Sequence, residues 1–263
     1  MRGRSIVLLG LAALLSACGD DASGPRDNAR VDVAFAAVSS PTTSGTANPV
    51  NANGELVLTG TNGVLTITQI QLVVAEFELE RSEREEDACE AAGGSHEACE
   101  KFESPPFLVD LPLDGGEIVV ATDRVPAGTY TELEFEIEDL DDDDDDSAAN
   151  REAIQQLRAQ LRAAFPGISN DASMIVTGTF TPTGGEPRPF TTFIDADIEI
   201  EFDLNPRLVI GEDGASRTIT LSIDPARWFR RGGQVLNLAA QNGDLLELEV
   251  EVEDGFTRIE WDD

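Results

Sequence analysis

Three stretches of this chain alternate apolar and acidic residues one by one, and no other feature limits the fold as tightly. Leu133, Phe135 and Ile137 alternate with Glu132, Glu134, Glu136 and Glu138. Ile198, Ile200, Phe202 and Leu204 alternate with Glu199, Glu201 and Asp203, and Leu246, Leu248, Val250 and Val252 with Glu247, Glu249, Glu251 and Glu253. A period of two puts every apolar side chain on one face of an extended strand and every carboxylate on the other. Each stretch is therefore a half-buried strand with an acidic outer face. Further strand patterns occur at 31–37, 56–58, 64–68, 107–113, 117–122, 174–181, 188–194 and 218–223. Together they predict a mainly β chain folded as an antiparallel β-sandwich.

Turn chemistry sharpens that expectation. Gly60-Thr61-Asn62-Gly63 between apolar strands predicts a hairpin, because Asn and Gly readily take positive φ. Asp254-Gly255 predicts another between 245–252 and 256–261. Between Ile70 and Leu79 the apolar phase changes parity, so a continuous strand needs a bulge near Leu72. One helical insertion is expected near 147–165, where Ile154, Leu157, Leu161 and Ala164 or Phe165 recur at helical spacing before Pro166-Gly167. Asp224-Pro225 predicts a short helical turn with Asp as N-cap. Trp228 and Phe229 just beyond read as core or rim plugs, with an aromatic ligand platform as the rival.

The first 17 residues have the layout of an export signal: Arg2 and Arg4, an apolar run from Ile6 to Leu15, then small residues. That run is too short for a bilayer core of about 30 Å, which takes roughly 20 residues. Leu15-Ser16-Ala17-Cys18 resembles a bacterial lipobox. The resemblance implies cleavage before Cys18, a diacylglyceryl thioether and an N-acyl chain on that cysteine, and membrane attachment through them; several acyl chains anchor stably where one does not. Gly19 after the cysteine, rather than Asp, favours the outer membrane by the sorting rule of such lipoproteins. The expected organisation is a signal peptide at 1–17, an acylated cysteine with a flexible tether at 18–30, and a single β-sandwich domain at 31–263. That domain carries a charged cysteine loop at 81–104 and an aspartate run plus helix at 139–167.

Charge excludes one class of partner. With 51 acidic against 18 basic residues the formal charge is −33, and loss of the signal makes it two units more negative. Nucleic acid and anionic lipid headgroups need a basic surface. Cations and basic partners remain compatible.

Two local features carry candidate chemistry. Cys89 and Cys99 in the charged loop, in an exported and hence oxidising setting, are most simply a disulfide. The rival is a metal site of Cys89, His96 and Cys99 with a carboxylate from Glu90, Glu97 or Glu100. His96-Glu97-Ala98-Cys99-Glu100 also begins like a zinc-peptidase helix, but His96 is the only histidine, so that motif fails. Six aspartates at 141–146 precede the helix. They read either as a charged loop into a packing helix or as a Ca²⁺ loop with Asp141, Asp143, Asp145 and Glu152 at positions one, three, five and twelve, lacking the usual Gly at position six. Cofactors are thus none, or Ca²⁺.

A wider resemblance rests on Thr66 to Glu80, on Phe107-Leu108-Val109-Asp110-Leu111, on Pro126-Ala127-Gly128-Thr129-Tyr130 before a strand, on Val176-Thr177-Gly178-Thr179-Phe180 and on Ile223 to Phe229. These stretches resemble a family of bacterial surface lipoproteins of unknown function. Their domain is similar to the prealbumin-like sandwiches found as regulatory modules beside carboxypeptidases. The resemblance implies that fold; no catalytic residues are established for the family, so none is carried over to this chain.

Catalytic motifs are missing from the sequence: no Gly-x-Ser-x-Gly elbow and no Gly-x-x-x-x-Gly-Lys loop occur. The expectation is a lipid-anchored, non-catalytic binding or structural module with an unidentified extracellular or periplasmic ligand. A Ca²⁺-dependent carbohydrate- or ligand-binding module and a carboxylate-based hydrolase are the alternatives.

Overall fold

A computed structural model describes residues 29–37, 50–140, 148–196, 198–211, 215–247 and 256–261. In chain order the elements are β1 (Ala29–Ala37), β2 (Leu56–Gly60), β3 (Gly63–Arg81), α1 (Glu83–Ala91), α2 (His96–Glu100), β4 (Lys101–Glu103), β5 (Phe107–Asp110), β6 (Glu117–Val125) and β7 (Gly128–Ile137). There follow α3 (Ala148–Ala164), β8 (Met174–Pro182), β9 (Arg188–Asp195), β10 (Ile198–Ile210), β11 (Arg217–Ile223), β12 (Arg230–Arg231), β13 (Gln234–Val235), β14 (Leu245–Glu247) and β15 (Phe256–Trp261). The chain is mainly β. Among the described residues no helix is long and apolar enough to cross a membrane.

Two sheets share one core. The smaller runs β15-β11-β1-β6 and the larger follows β10-β7-β3-β8-β9-β14, with β2, β4 and β5 also on β3. Pairing is antiparallel except for β1 with β11 and β14 with β9. Val31, Val33 and Phe35 of β1 and Ile219, Leu221 and Ile223 of β11 meet Leu65, Ile67, Phe77, Leu133 and Phe135 of the larger sheet in one buried cluster. Phe35 and Phe135 touch edge to face across the two sheets, ring centroids 5.7 Å apart. Trp228 and Phe229 are buried in this core, on a turn whose first amide, that of Ala226, donates to the Asp224 side chain.

β3 is the spine. Leu72 stands opposite both Met174 of β8 and Val109 of β5, so β8 and then β7 occupy one edge while β2, β5 and β4 share the other. Its register slips three times, between Ile67 and Gln69, between Val74 and Glu76, and at its end between Glu80 and Arg81; an extra β3 residue causes the first two. The first two irregularities therefore bracket Leu72 instead of sitting on it. Each extra residue resets the pleat, so Leu65 and Ile67, then Ile70, Leu72 and Val74, then Phe77 and Leu79 all face the shared core. Between the first two slips Val73 points outward.

That outward patch explains the helix. Val73, Ile175 of β8 and Phe193 of β9 form a second apolar cluster with Ile154, Leu157 and Leu161 of α3. The helical stripe read from the sequence thus covers the outer face of the larger sheet at one end.

One expectation changes. The cysteine segment is not a plain loop: it folds as α1 and α2 before β4. α1 has no buried residue and a Glu-rich first turn, which suits the positive end of the helix dipole. Of the expected last hairpin, the described start of the first strand, β14, joins β9 in the larger sheet and β15 joins β11 in the smaller, while its turn at Asp254-Gly255 and the rest of 248–255 lie outside the described residues. Alternation fixes which face of a strand is buried but not which exposed edge it joins, and both sheets offered one.

Candidate functional site: a carboxylate lattice on the outer face

Because Leu133, Phe135 and Ile137 face the core, the alternate glutamates of β7 face outward, and the same holds for β3 and β10. Register then aligns them. Glu199, Glu136 and Glu76 form one row; Glu201, Glu134, Glu78 and Glu103 the next; Asp203, Glu132, Glu80 and Lys101 the third. Residues directly opposite on one face have Cβ atoms about 4.5 to 5.5 Å apart, at which like charges repel. The lattice adjoins the ground covered by α3, whose Asn150 amide donates to Glu103 at 2.5 Å.

Lys101, the only lysine of the chain, is placed among these acids. Its ammonium donates to Glu78 and lies 3.7 Å from Glu76. Glu78 is only 3% exposed. Burial pushes its carboxyl up to about 8; the hydrogen bond with Glu76 adds to this and Lys101 opposes it. Glu136 is raised to about 7, by burial first and then by the charges of Glu76, Glu138, Glu134 and Glu199. Glu132 and Glu134 are raised for the same reasons. Burial pulls the Lys101 pKa down, but its hydrogen bond and charge contacts with Glu78 outweigh that and raise it overall. The lattice therefore retains protons at pH values where exposed carboxylates have lost them.

Chemically this face gathers carboxylate oxygens that could accept cations. Carboxylate oxygens of Glu76, Glu78 and Glu103, of Glu78, Glu80 and Glu134, and of Glu134, Glu136 and Glu199 lie within 4.8 Å of one another. Oxygen-only sets of this kind suit hard cations and ammonium groups.

The cysteine helices lie at the lattice margin. Cys89 and Cys99 are joined as a disulfide, 5.5 Å between Cα atoms, so their sulfurs offer no thiolate pair for a metal. Arg81, at the end of β3, stacks over the Tyr130 ring at 5.5 Å and donates to the Cys99 carbonyl. The Tyr130 hydroxyl donates back to the Pro126 carbonyl at 2.8 Å, closing the Pro-Ala-Gly-Thr-Tyr stretch on itself. Of the other residues singled out in the sequence, Cys18, Asp141, Asp143 and Asp145 lie outside the described residues. Glu152 sits exposed on α3 and accepts from Gln156 at 3.1 Å.

The β7 and β10 acids were evident from their alternation. Glu76, Glu78 and Glu80 of β3 were not picked out, although Glu-Phe-Glu-Leu-Glu carries the same signal, because the parity change upstream hid their phase. Comparison with protein-family models, curated proteins and solved structures finds no match for this chain.

Proposed function

We propose that this chain is an exported lipoprotein, held at the outer membrane through lipid on Cys18, whose β-sandwich is a non-catalytic module presenting the carboxylate lattice to cationic partners. The observation that carries the reading is the register of β10, β7 and β3, which lines up like charges strand after strand. A face needing only solubility is served by mixed signs. A single-sign plate instead creates a field that gathers cations and steers basic surfaces. The lipobox and tether support presentation from a membrane, and the resemblance to surface lipoproteins with prealbumin-like domains points the same way.

The test compares binding of poly-lysine to the full chain and to two variants of equal net charge. One carries Glu134→Gln, Glu199→Gln and Glu201→Gln in the lattice; the other carries Glu152→Gln, Asp171→Asn and Glu186→Gln at exposed positions elsewhere. The lattice variant is expected to lose at least fivefold more affinity at low salt. Equal losses would mean that net charge alone acts and would end the reading of this face as a recognition surface.

A further inference from the structure

The structure assigns a second site to the cysteine helices: we propose that Glu86, Glu90 and His96 form a binding site for a first-row divalent transition ion such as Zn²⁺. Glu86 and Glu90 are four residues apart on α1 and so share one helix face. His96 opens α2, and its Nδ1 meets Glu90 Oε1 at 2.7 Å and Glu86 Oε1 at 3.1 Å. Two carboxylates converge on one ring nitrogen, which has a single proton to give. All three donor atoms fall within 4.8 Å of one another. In a tetrahedral zinc site with metal–ligand bonds near 2.0 to 2.2 Å, neighbouring donor atoms are about 3.3 Å apart. A small outward shift of the two carboxylates, both on an unburied helix, opens that spacing.

The other ring nitrogen also has a carboxylate nearby. His96 Nε2 faces Glu100 Oε2, one turn along α2, at 3.9 Å. Histidines that hold a metal through one nitrogen characteristically direct the other N–H at a carboxylate, which fixes the tautomer and raises the basicity of the ligating atom. At 3.9 Å Glu100 is beyond hydrogen-bond distance and takes that role only by closing on the ring as the ion binds; Nδ1 is then left for the ion, which displaces the Nδ1 proton to solvent. The imidazole distinguishes this site from the all-oxygen lattice: nitrogen plus carboxylates suits zinc and its neighbours, whereas oxygen alone suits magnesium or calcium.

The disulfide holds the arrangement in place. Cys89 adjoins Glu90 and Cys99 adjoins Glu100, so the bridge fixes α1 against α2 at the level of the ligands. Gly94 lies in the bend between them, where a β-carbon would come within 2.8 Å of both sulfurs. The cysteines thus act as a brace for the site, not as its ligands.

The sole histidine makes the test selective. The full chain, ¹⁵N-labelled at histidine, is titrated with Zn²⁺ over a millimolar Mg²⁺ background that occupies exposed carboxylates. Zinc is expected to carry the Nδ1 resonance, and not Nε2, to its metal-bound position. Glu86→Gln with Glu90→Gln is expected to weaken this response at least tenfold, and Cys89→Ser with Cys99→Ser to weaken it severalfold. α1 buries no residue, so the glutamine variant keeps the sheet intact. An imidazole spectrum unmoved by zinc, or unchanged half-saturation in the glutamine variant, would overturn the assignment.

Discussion

Glu78 and Glu134 stand directly opposite one another across β3 and β7, and Glu78 is nine-tenths buried with the Lys101 ammonium on it. A buried acid set among other acids makes stability depend on protons. The Glu78 carboxyl is raised from an ordinary 4.5 to about 8 and Glu136 from 4.5 to about 7, in both cases chiefly by burial. The folded chain therefore binds these protons more tightly than the unfolded chain does. Their contribution is fully present below pH 4.5 and is lost as pH rises through about 7 to 8. Glu136 is part-exposed and screened by solvent and Glu78 is paired with Lys101, so roughly 2 kcal/mol is expected to go between pH 5 and pH 8, lowering the melting midpoint by about 4 to 8 °C. Glu78→Gln should flatten much of that slope in thermal melts.

Lys101→Met keeps the apolar stem and removes the charge. Lys101 holds the Glu78 pKa down, so in this variant a carboxyl ¹³C titration should place Glu78 above its original value. At pH 8 the variant should lose about 1 to 2 kcal/mol, since a buried acid without its partner is costly and Lys101 itself is a third exposed. Near pH 5, where Glu78 is protonated, the loss should be small.

Removing the disulfide should act locally. The bridge closes a loop of ten residues, for which about 2 to 3 kcal/mol of local stabilisation is expected. α1 has no buried residue, so Cys89→Ser with Cys99→Ser should raise amide exchange across 83–100 while protection in β3, β7 and β8 stays near wild type. Loss of protection throughout the sheets would show that the cysteine helices support the sandwich as a whole.

The contact between the sheets is the part whose loss should be felt everywhere. Phe135 is fully buried against Phe35 of the opposite sheet. Phe135→Ala should cost about 3 to 5 kcal/mol in denaturant unfolding, by lost burial and the cavity left behind.

Much of this architecture was legible from patterns with a mechanical cause. The alternation of Leu133, Phe135 and Ile137 with glutamates set a strand and its faces, Thr61-Asn62 set a hairpin, and Ile154, Leu157 and Leu161 set a packing helix. What stayed hidden depends on partners distant in sequence. Nothing around Leu246 says that β14 will run parallel to β9, or around Glu76 that its row-mates will be Glu136 and Glu199. Position one residue at a time also concealed how Glu86, Glu90 and His96 meet, because their approach depends on the turn between two helices. His96 invited grouping with its cysteine neighbours, yet the sulfurs satisfy each other and leave the imidazole to the glutamates.

The central claim is that the module is presented from a membrane by lipid on Cys18, and intact-mass analysis of the chain extracted from membranes of the producing bacterium tests it most directly. The account predicts a mature chain beginning at Cys18 and heavier than its polypeptide by a diacylglyceryl group and one acyl chain, with both the added mass and membrane retention lost in Cys18→Ser. An unacylated chain in the membrane fraction, or a Cys18→Ser chain retained there as fully as wild type, would contradict it.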